Sequence, residues 1–153
     1  KAHEYDFNTR FIELAGEINS NMPKWVVSKV MDALNDCGKP LKGAHVMVLG
    51  LAYKKNVDDT RESPAAEILD ILQSKGARVS YSDPFVESFP KKRDYSFDLE
   101  SIPLSAETLR KMDCVVLVTD HDSFPYELIL SHSNLIVDSR GVYPRGPANV
   151  VHA

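Results

Sequence analysis

Val46-Met47-Val48-Leu49-Gly50-Leu51-Ala52-Tyr53-Lys54-Lys55-Asn56-Val57-Asp58-Asp59-Thr60-Arg61-Glu62-Ser63-Pro64 reads as a buried strand, a charged loop and a helix start. Val46 to Leu49 is apolar without helical period, as expected of a parallel strand covered on both faces. Ser63-Pro64 places an N-cap hydroxyl directly before a proline at the first helical position. Between strand and helix lie Lys54, Lys55 and Arg61, three cations on a loop that leads into a helix N-terminus. Free backbone N–H groups and the helix dipole favour anions there, so the segment is a candidate phosphate site.

The same alternation continues downstream. A helix is expected from Ser63 to about Ser74, a strand over Arg78 to Ser82, and a break at Asp83-Pro84. Residues 87–98 mix charge and aromatics and read as a loop with a short strand near 95–99. A helix near Ser105 to Lys111, a strand over Cys114 to Val118, a helix near Phe124 to Leu130 and a strand over Leu135 to Val137 follow. The Pro- and Gly-containing tail after Arg140 reads as irregular. This order predicts an α/β fold, a Rossmann-like doubly wound parallel sheet with right-handed crossovers.

Upstream, apolar residues recur at helical spacing through Phe11, Leu14, Ile18, Met22, Trp25, Val26, Val30 and Leu34. Pro23 interrupts them, which predicts either two helices or one kinked helix, with Gly38 as C-cap and Pro40 as stop. The division expected is a helical arm over 1–40 and a sheet domain over 41–153. The arm has an apolar stripe and little of its own to cover it, so a further part of a longer protein or a second subunit is expected to do so. Lys1-Ala2-His3-Glu4-Tyr5 has mid-helix character and no initiator methionine, as expected of a piece of a longer chain.

With 153 residues the chain suffices for one domain with a real core, burying roughly 70% of its unfolded surface. Its net charge of -4, from 18 basic and 22 acidic residues, argues against a nucleic-acid binder built on phosphate contacts. Neither Cys37 nor Cys114 has metal-ligand spacing, and no metal site is expected. No signal peptide or spanning run is visible, so no membrane partner and a cytoplasmic setting are expected.

Ligands of open α/β sheets bind beyond the carboxyl ends of the strands. Each expected strand ends there in polar residues: Lys54, Lys55 and Arg61; Asp83; Thr119, Asp120, His121 and Asp122; and Asp138, Ser139 and Arg140. Lys54, Arg61 and Arg140 are therefore candidates to converge on one anion. Gly50 is the one glycine of the first loop, so G-x-G-x-x-G is absent and an independent NAD site is not expected. Plainer readings stand beside these. Lys55 reads as solvated, Asp58-Asp59 as neutralising the loop or pairing with Arg61, Asp120-His121-Asp122 as helix-capping, and Arg140 as a partner of Asp138.

Gly50-Leu51-Ala52-Tyr53-Lys54-Lys55 with Asp58-Asp59-Thr60-Arg61-Glu62-Ser63-Pro64 resembles the C-terminal domain of the UDP-glucose/GDP-mannose dehydrogenase family. Gly76-Ala77, Val79, Tyr81, Asp83-Pro84 and Asp138-Ser139-Arg140 fit the same domain. The arm from Phe7 to Asn19 looks like the UDP-N-acetylglucosamine 6-dehydrogenase branch. The resemblance implies an NAD-binding domain, a central helical dimerisation segment and a UDP-binding domain, of which this chain holds the end of the second and all of the third. It implies two NAD-linked oxidations of a sugar C6 alcohol through a cysteine thiohemiacetal and thioester, supplying uronic acids for polysaccharide biosynthesis. Cys37 and Cys114 do not match that cysteine, so no catalytic residue is expected here and the chain alone is expected to be inactive. By the same resemblance Tyr53, Lys54 and Arg140 contact the UDP-sugar, Arg61 reaches toward the NAD diphosphate, and the whole protein is a homo-oligomer. UDP-glucose, UDP-N-acetylmannosamine and a non-catalytic nucleotide-binding module remain the alternatives.

Overall fold

A computed structural model describes residues 2–91, 93–95 and 97–153, with side chains from Thr9 onward. Phe7 and Asn8 of the arm motif therefore lie outside the described side chains. Five parallel strands form the sheet: β1 (His45–Leu49), β2 (Arg78–Ser82), β3 (Cys114–Leu117), β4 (Ile136–Asp138) and β5 (Val150–His152), in the order β2-β1-β3-β4-β5. The chain leaves β1 toward one edge, returns across it to β3, and then proceeds to the other edge. The switch point thus falls between β1 and β3, where Val46 pairs with Cys114 and Leu49 with Leu117.

Alternation along these strands explains the two helical layers. Val46 and Val48 of β1, with Cys114, Val116 and Val137, face α1 (Ala2–Asp36) and α2 (Pro64–Ser74). Val26, Val27, Val30, Leu34, Ile68, Leu69 and Leu72 complete that cluster. Met47, Leu49, Val115, Leu117 and Ile136 face the other side, where α3 (Ala106–Lys111) and α4 (Tyr126–His132) supply Leu109 and Ile129. Both faces of the central strands are apolar because both are covered.

Capping sets the helix starts. Ser63 accepts the Ala65 N–H at 3.3 Å with Pro64 at the first helical position, and Ser105 accepts the Thr108 N–H at 3.1 Å. α4 starts at Tyr126 rather than near Phe124, because the residue before Pro125 is held away from helical dihedrals. α1 ends at Gly38, whose φ of +71° lets Gly38 and Lys39 donate back to Asn35 and Leu34.

Of the two readings of the Pro23 segment the structure has the single helix, and two other expectations are corrected. α1 is one helix through Pro23, held from Val26 onward by packing on α2 and the sheet. The strand near 95–99 does not form among the described residues; instead Ser88 bridges Glu100 and Tyr81 bridges Ser101. The tail is not irregular throughout, since β5 pairs with β4 from Ile136–Val150 to Asp138–His152. From Thr9 to Asn21 α1 stands exposed, with Phe11 70% and Leu14 and Ile18 about half exposed, and Trp25, half exposed, continues the stripe.

Candidate functional site

The loops that follow β1, β3 and β4 meet α1 and the N-terminus of α2 around a cleft of about 900 Å³. It is lined by Tyr53, Lys54, Thr119, Ser139 and Arg140, by Glu62, Glu67, Asp94 and Tyr95, and by Asn19, Ser20 and Pro23 of α1. It lies at the carboxyl end of the sheet beside the switch point, where open α/β sheets hold ligands.

Close approach of two loops builds this edge. Gly50 has φ +87°, and a Cβ there would stand 2.4 Å from the Thr119 Cβ and 2.6 Å from the Thr119 carbonyl oxygen. The glycine is needed for contact with the neighbouring loop. Thr119 returns the contact by donating its hydroxyl to the Ala52 carbonyl at 2.6 Å.

Beyond Gly50 the loop is held by buried polar groups. Asp83, at the end of β2, accepts the Leu51 and Ala52 N–H groups through Oδ2 at 2.7 and 3.0 Å. Its Oδ1 accepts Phe85 and Val86, and its Oδ2 also lies 2.9 Å from His121 Nε2. His121 Nδ1 accepts the Asn56 N–H at 2.9 Å. The Asn56 side chain and Lys55 bond Asp122, whose carboxyl is thereby held below its ordinary pKa, by Asn56 first and Lys55 second. The run at 120–122 therefore does not cap α4, which has no side-chain cap bond. His121 is fully buried and fastens the first loop.

Tyr53 and Lys54 project from the stretch between these fastenings. Lys54 has no carboxylate partner among the described residues; its ammonium lies 5.7 Å from the half-exposed Tyr53 ring. Arg140 reaches the cleft from the loop after β4 and donates Nε–H to Asp120 at 3.0 Å. Its expected pairing with Asp138 is corrected, because buried Asp138 accepts the Arg140, Gly141 and Tyr143 backbone N–H groups instead. Three carboxylates line the same cleft, and burial, then the charges of Glu67, Asp70 and Asp94, push the Tyr95 hydroxyl above its ordinary pKa.

Arg61 is elsewhere. Its guanidinium forks onto Asp59 at 3.0 and 2.9 Å, its side chain is 88% exposed, and it does not line the cleft. Lys54 and Arg140 are thus brought together and Arg61 is not. Cys37 is exposed at the far end of α1, and Cys114 is buried in β3 with its thiol pushed up to about 12 by burial. Neither lines the cleft. Among the described residues no cluster of three or more His, Cys, Asp or Glu could hold a metal ion, and no helix is long and apolar enough to cross a membrane.

Residues 47–145 match the sequence profile of the UDP-glucose/GDP-mannose dehydrogenase family, UDP binding domain. A UDP-N-acetyl-D-mannosamine dehydrogenase of Methanococcus maripaludis is 38% identical over 119 residues, covering 76% of this chain and 25% of that protein. The enzyme of the same name from Salmonella typhimurium is 33% identical over 142 residues, covering 88% of this chain and 33% of that one. The chain thus spans a quarter to a third of the curated relatives it matches. Among solved structures, a UDP-D-ManNAc dehydrogenase from Pyrococcus horikoshii aligns with TM-score 0.72 at 26% identity, over 92% of this chain and 32% of that one. An NDP-N-acetyl-D-galactosaminuronic acid dehydrogenase from Methanosarcina mazei Go1 aligns with TM-score 0.73 at 26% identity, over 92% and 30%. With its parallel sheet, its switch-point cleft and this profile, the chain belongs to the UDP-glucose/GDP-mannose dehydrogenase family and carries that family's UDP-binding domain.

Proposed function

We propose that this chain binds the UDP-sugar of an NAD-dependent UDP-N-acetylhexosamine 6-dehydrogenase, within a longer protein that supplies the catalytic cysteine and the NAD-binding domain. One observation carries it: a lysine without a carboxylate partner among the described residues, an aromatic face and an arginine share one cleft at the switch point of the sheet. Lys54 and Arg140 hold the diphosphate and acidic parts of the ligand, and Tyr53 offers a stacking face. The N-acetylhexosamine is favoured over glucose by the names of the relatives, which are mannosamine rather than glucosamine enzymes. Helical arm over 1–40 and binding domain over 41–153 remain the division of labour, in a cytoplasmic setting.

NAD does not fit the loop after β1 as a complete site, because the space beside Gly50 is occupied by Thr119 and no second glycine opens a pyrophosphate cradle. Arg61, exposed and outside the cleft, is assigned to the cofactor side, where exchanging Asp59 for a phosphate keeps its two-pronged geometry. The exposed stripe of Phe11, Leu14, Ile18 and Trp25 supports a homo-oligomer in which a second copy covers α1.

Calorimetry with UDP, UDP-N-acetylmannosamine and UDP-N-acetylglucosamine tests the site. Losing a charge-assisted hydrogen bond costs about 1.5–3 kcal/mol, so Lys54→Ala is expected to weaken UDP roughly ten- to a hundredfold while the protein stays folded. Arg61→Ala is expected to leave UDP binding intact and to raise the NAD KM of the complete enzyme. Unchanged UDP affinity in Lys54→Ala would refute the site.

A further inference from the structure

We propose that His121 is a positioning residue for the ligand loop: its imidazole sets the place of Tyr53 and Lys54 by holding Asn56, while Asp83 holds Leu51 and Ala52. The inference rests on the functional reading above. His121 and Asp83 side chains are both fully buried, and His121 does not line the cleft, so it cannot touch a ligand. Both ring nitrogens are nevertheless committed. Nδ1 accepts the Asn56 N–H at 2.9 Å, which places the ring proton on Nε2, where it is donated to Asp83 Oδ2 at 2.9 Å. Phe85 and Phe124 lie against the ring, with centroids at 5.1 and 5.3 Å, and fix its plane.

The two ends of the segment 51–56 are therefore anchored to one buried pair, and Tyr53 and Lys54 of the cleft lie between them. Asn56 adopts φ +62°, a conformation that asparagine tolerates better than most residues and that needs an outside hold. A ring with an acceptor on one edge and a donor on another supplies both bonds from a single side chain. Asp83 does not depend on His121, since Leu51, Ala52, Phe85 and Val86 already donate to it. The Asn56 side chain is also tied to Asp122, at 2.7 and 3.0 Å, so what His121 adds is the acceptor for the Asn56 backbone N–H.

Two substitutions separate the ring's two edges. His121→Asn keeps an acceptor near the Nδ1 place; His121→Gln keeps a donor near the Nε2 place and leaves the Asn56 N–H without its acceptor. Packing alone predicts the smaller Asn to be the worse, and positioning predicts Gln to be the worse. By calorimetry with UDP, Gln is expected to bind about tenfold more weakly and Asn within about threefold of the unaltered protein. In a Lys54→Ala background the Gln substitution is expected to add little, because it acts through Lys54.

Equal UDP affinity in both variants, or a weaker Asn than Gln variant, would overturn the positioning role and leave the site reading standing. Failure of the unaltered protein to bind UDP would overturn the site reading itself. If the Gln variant does not fold, the Asn variant decides: native-like hydrogen-exchange protection of the Asn56 amide with retained UDP affinity supports the role, and loss of either overturns it.

Discussion

Gly50→Ala is the sharpest test of how the cleft is built. The added Cβ would lie 2.4 Å from the Thr119 Cβ, 2.6 Å from the Thr119 carbonyl oxygen and 2.8 Å from its Cα. Two of those atoms are backbone, so no rotamer change relieves the clash. The loops after β1 and β3 must part. Such overpacking costs about 1–3 kcal/mol, and a non-glycine residue at φ +87° adds about 1–2 kcal/mol. The expected loss is about 2–5 kcal/mol, a large part of the ~5–15 kcal/mol of an ordinary domain. At about 2–4 °C per kcal/mol for this size class, thermal unfolding should fall by roughly 5–20 °C. Denaturant titration should show a lower midpoint at unchanged slope. Adding Thr119→Gly should return part of the loss, since it removes the threonine side chain but leaves the backbone in the way. A Gly50→Ala protein within about 0.5 kcal/mol of the original would refute this close approach, and with it the argument that the glycine serves Thr119 rather than a phosphate.

Two further outcomes follow from ionisable groups. Asp113 accepts Lys39 Nζ at 2.7 Å and the His45 N–H at 2.8 Å, and these bonds, Lys39 first, hold its carboxyl below the ordinary 3.8. A depressed carboxylate contributes stability above its unfolded pKa and loses it as pH falls through the folded one. Asp113→Asn should therefore flatten the acid side of the stability profile below about pH 4, and an unchanged acid limb would count against the pairing. Thiol titration with an aromatic disulfide near pH 8 should count one fast thiol in the native protein, Cys37, and two after denaturation, because burial pushes Cys114 up to about 12. Two fast native thiols would contradict the burial of β3.

The strand, loop and helix around Gly50 were legible because local chemistry and global fold agree there: an apolar strand, a Ser-Pro cap and an amphipathic helix. Strand β5 was not. Its three residues carry no period, and their conformation comes from pairing with β4. The sequence allows two helices or one kinked helix for α1; what carries it through Pro23, the packing of Val26, Val30 and Leu34, is not local. In the site, the residue types at strand ends were readable and their partners were not. Arg61 had a carboxylate two residues away, and its fork onto Asp59 removes it from the cleft. His121 and Asp83 are far apart in sequence and meet because β2 and β3 both flank β1. The observed strand order brings them together: Asp83 follows one neighbour of β1 and His121 the other, and they meet across its loop.

Pro23 has a consequence for ligand choice. Lacking an N–H, it cannot satisfy the carbonyl of Asn19 one turn earlier, and both residues stand in the cleft wall. A helix carbonyl that lacks its i+4 donor turns to water or to another polar group for its hydrogen bond. Were that carbonyl open to the cleft, a ligand amide N–H or hydroxyl would replace its water, whereas carbon there would strand the oxygen. The residue that interrupts the hydrogen bonding of α1 is thus also one that lines the cleft.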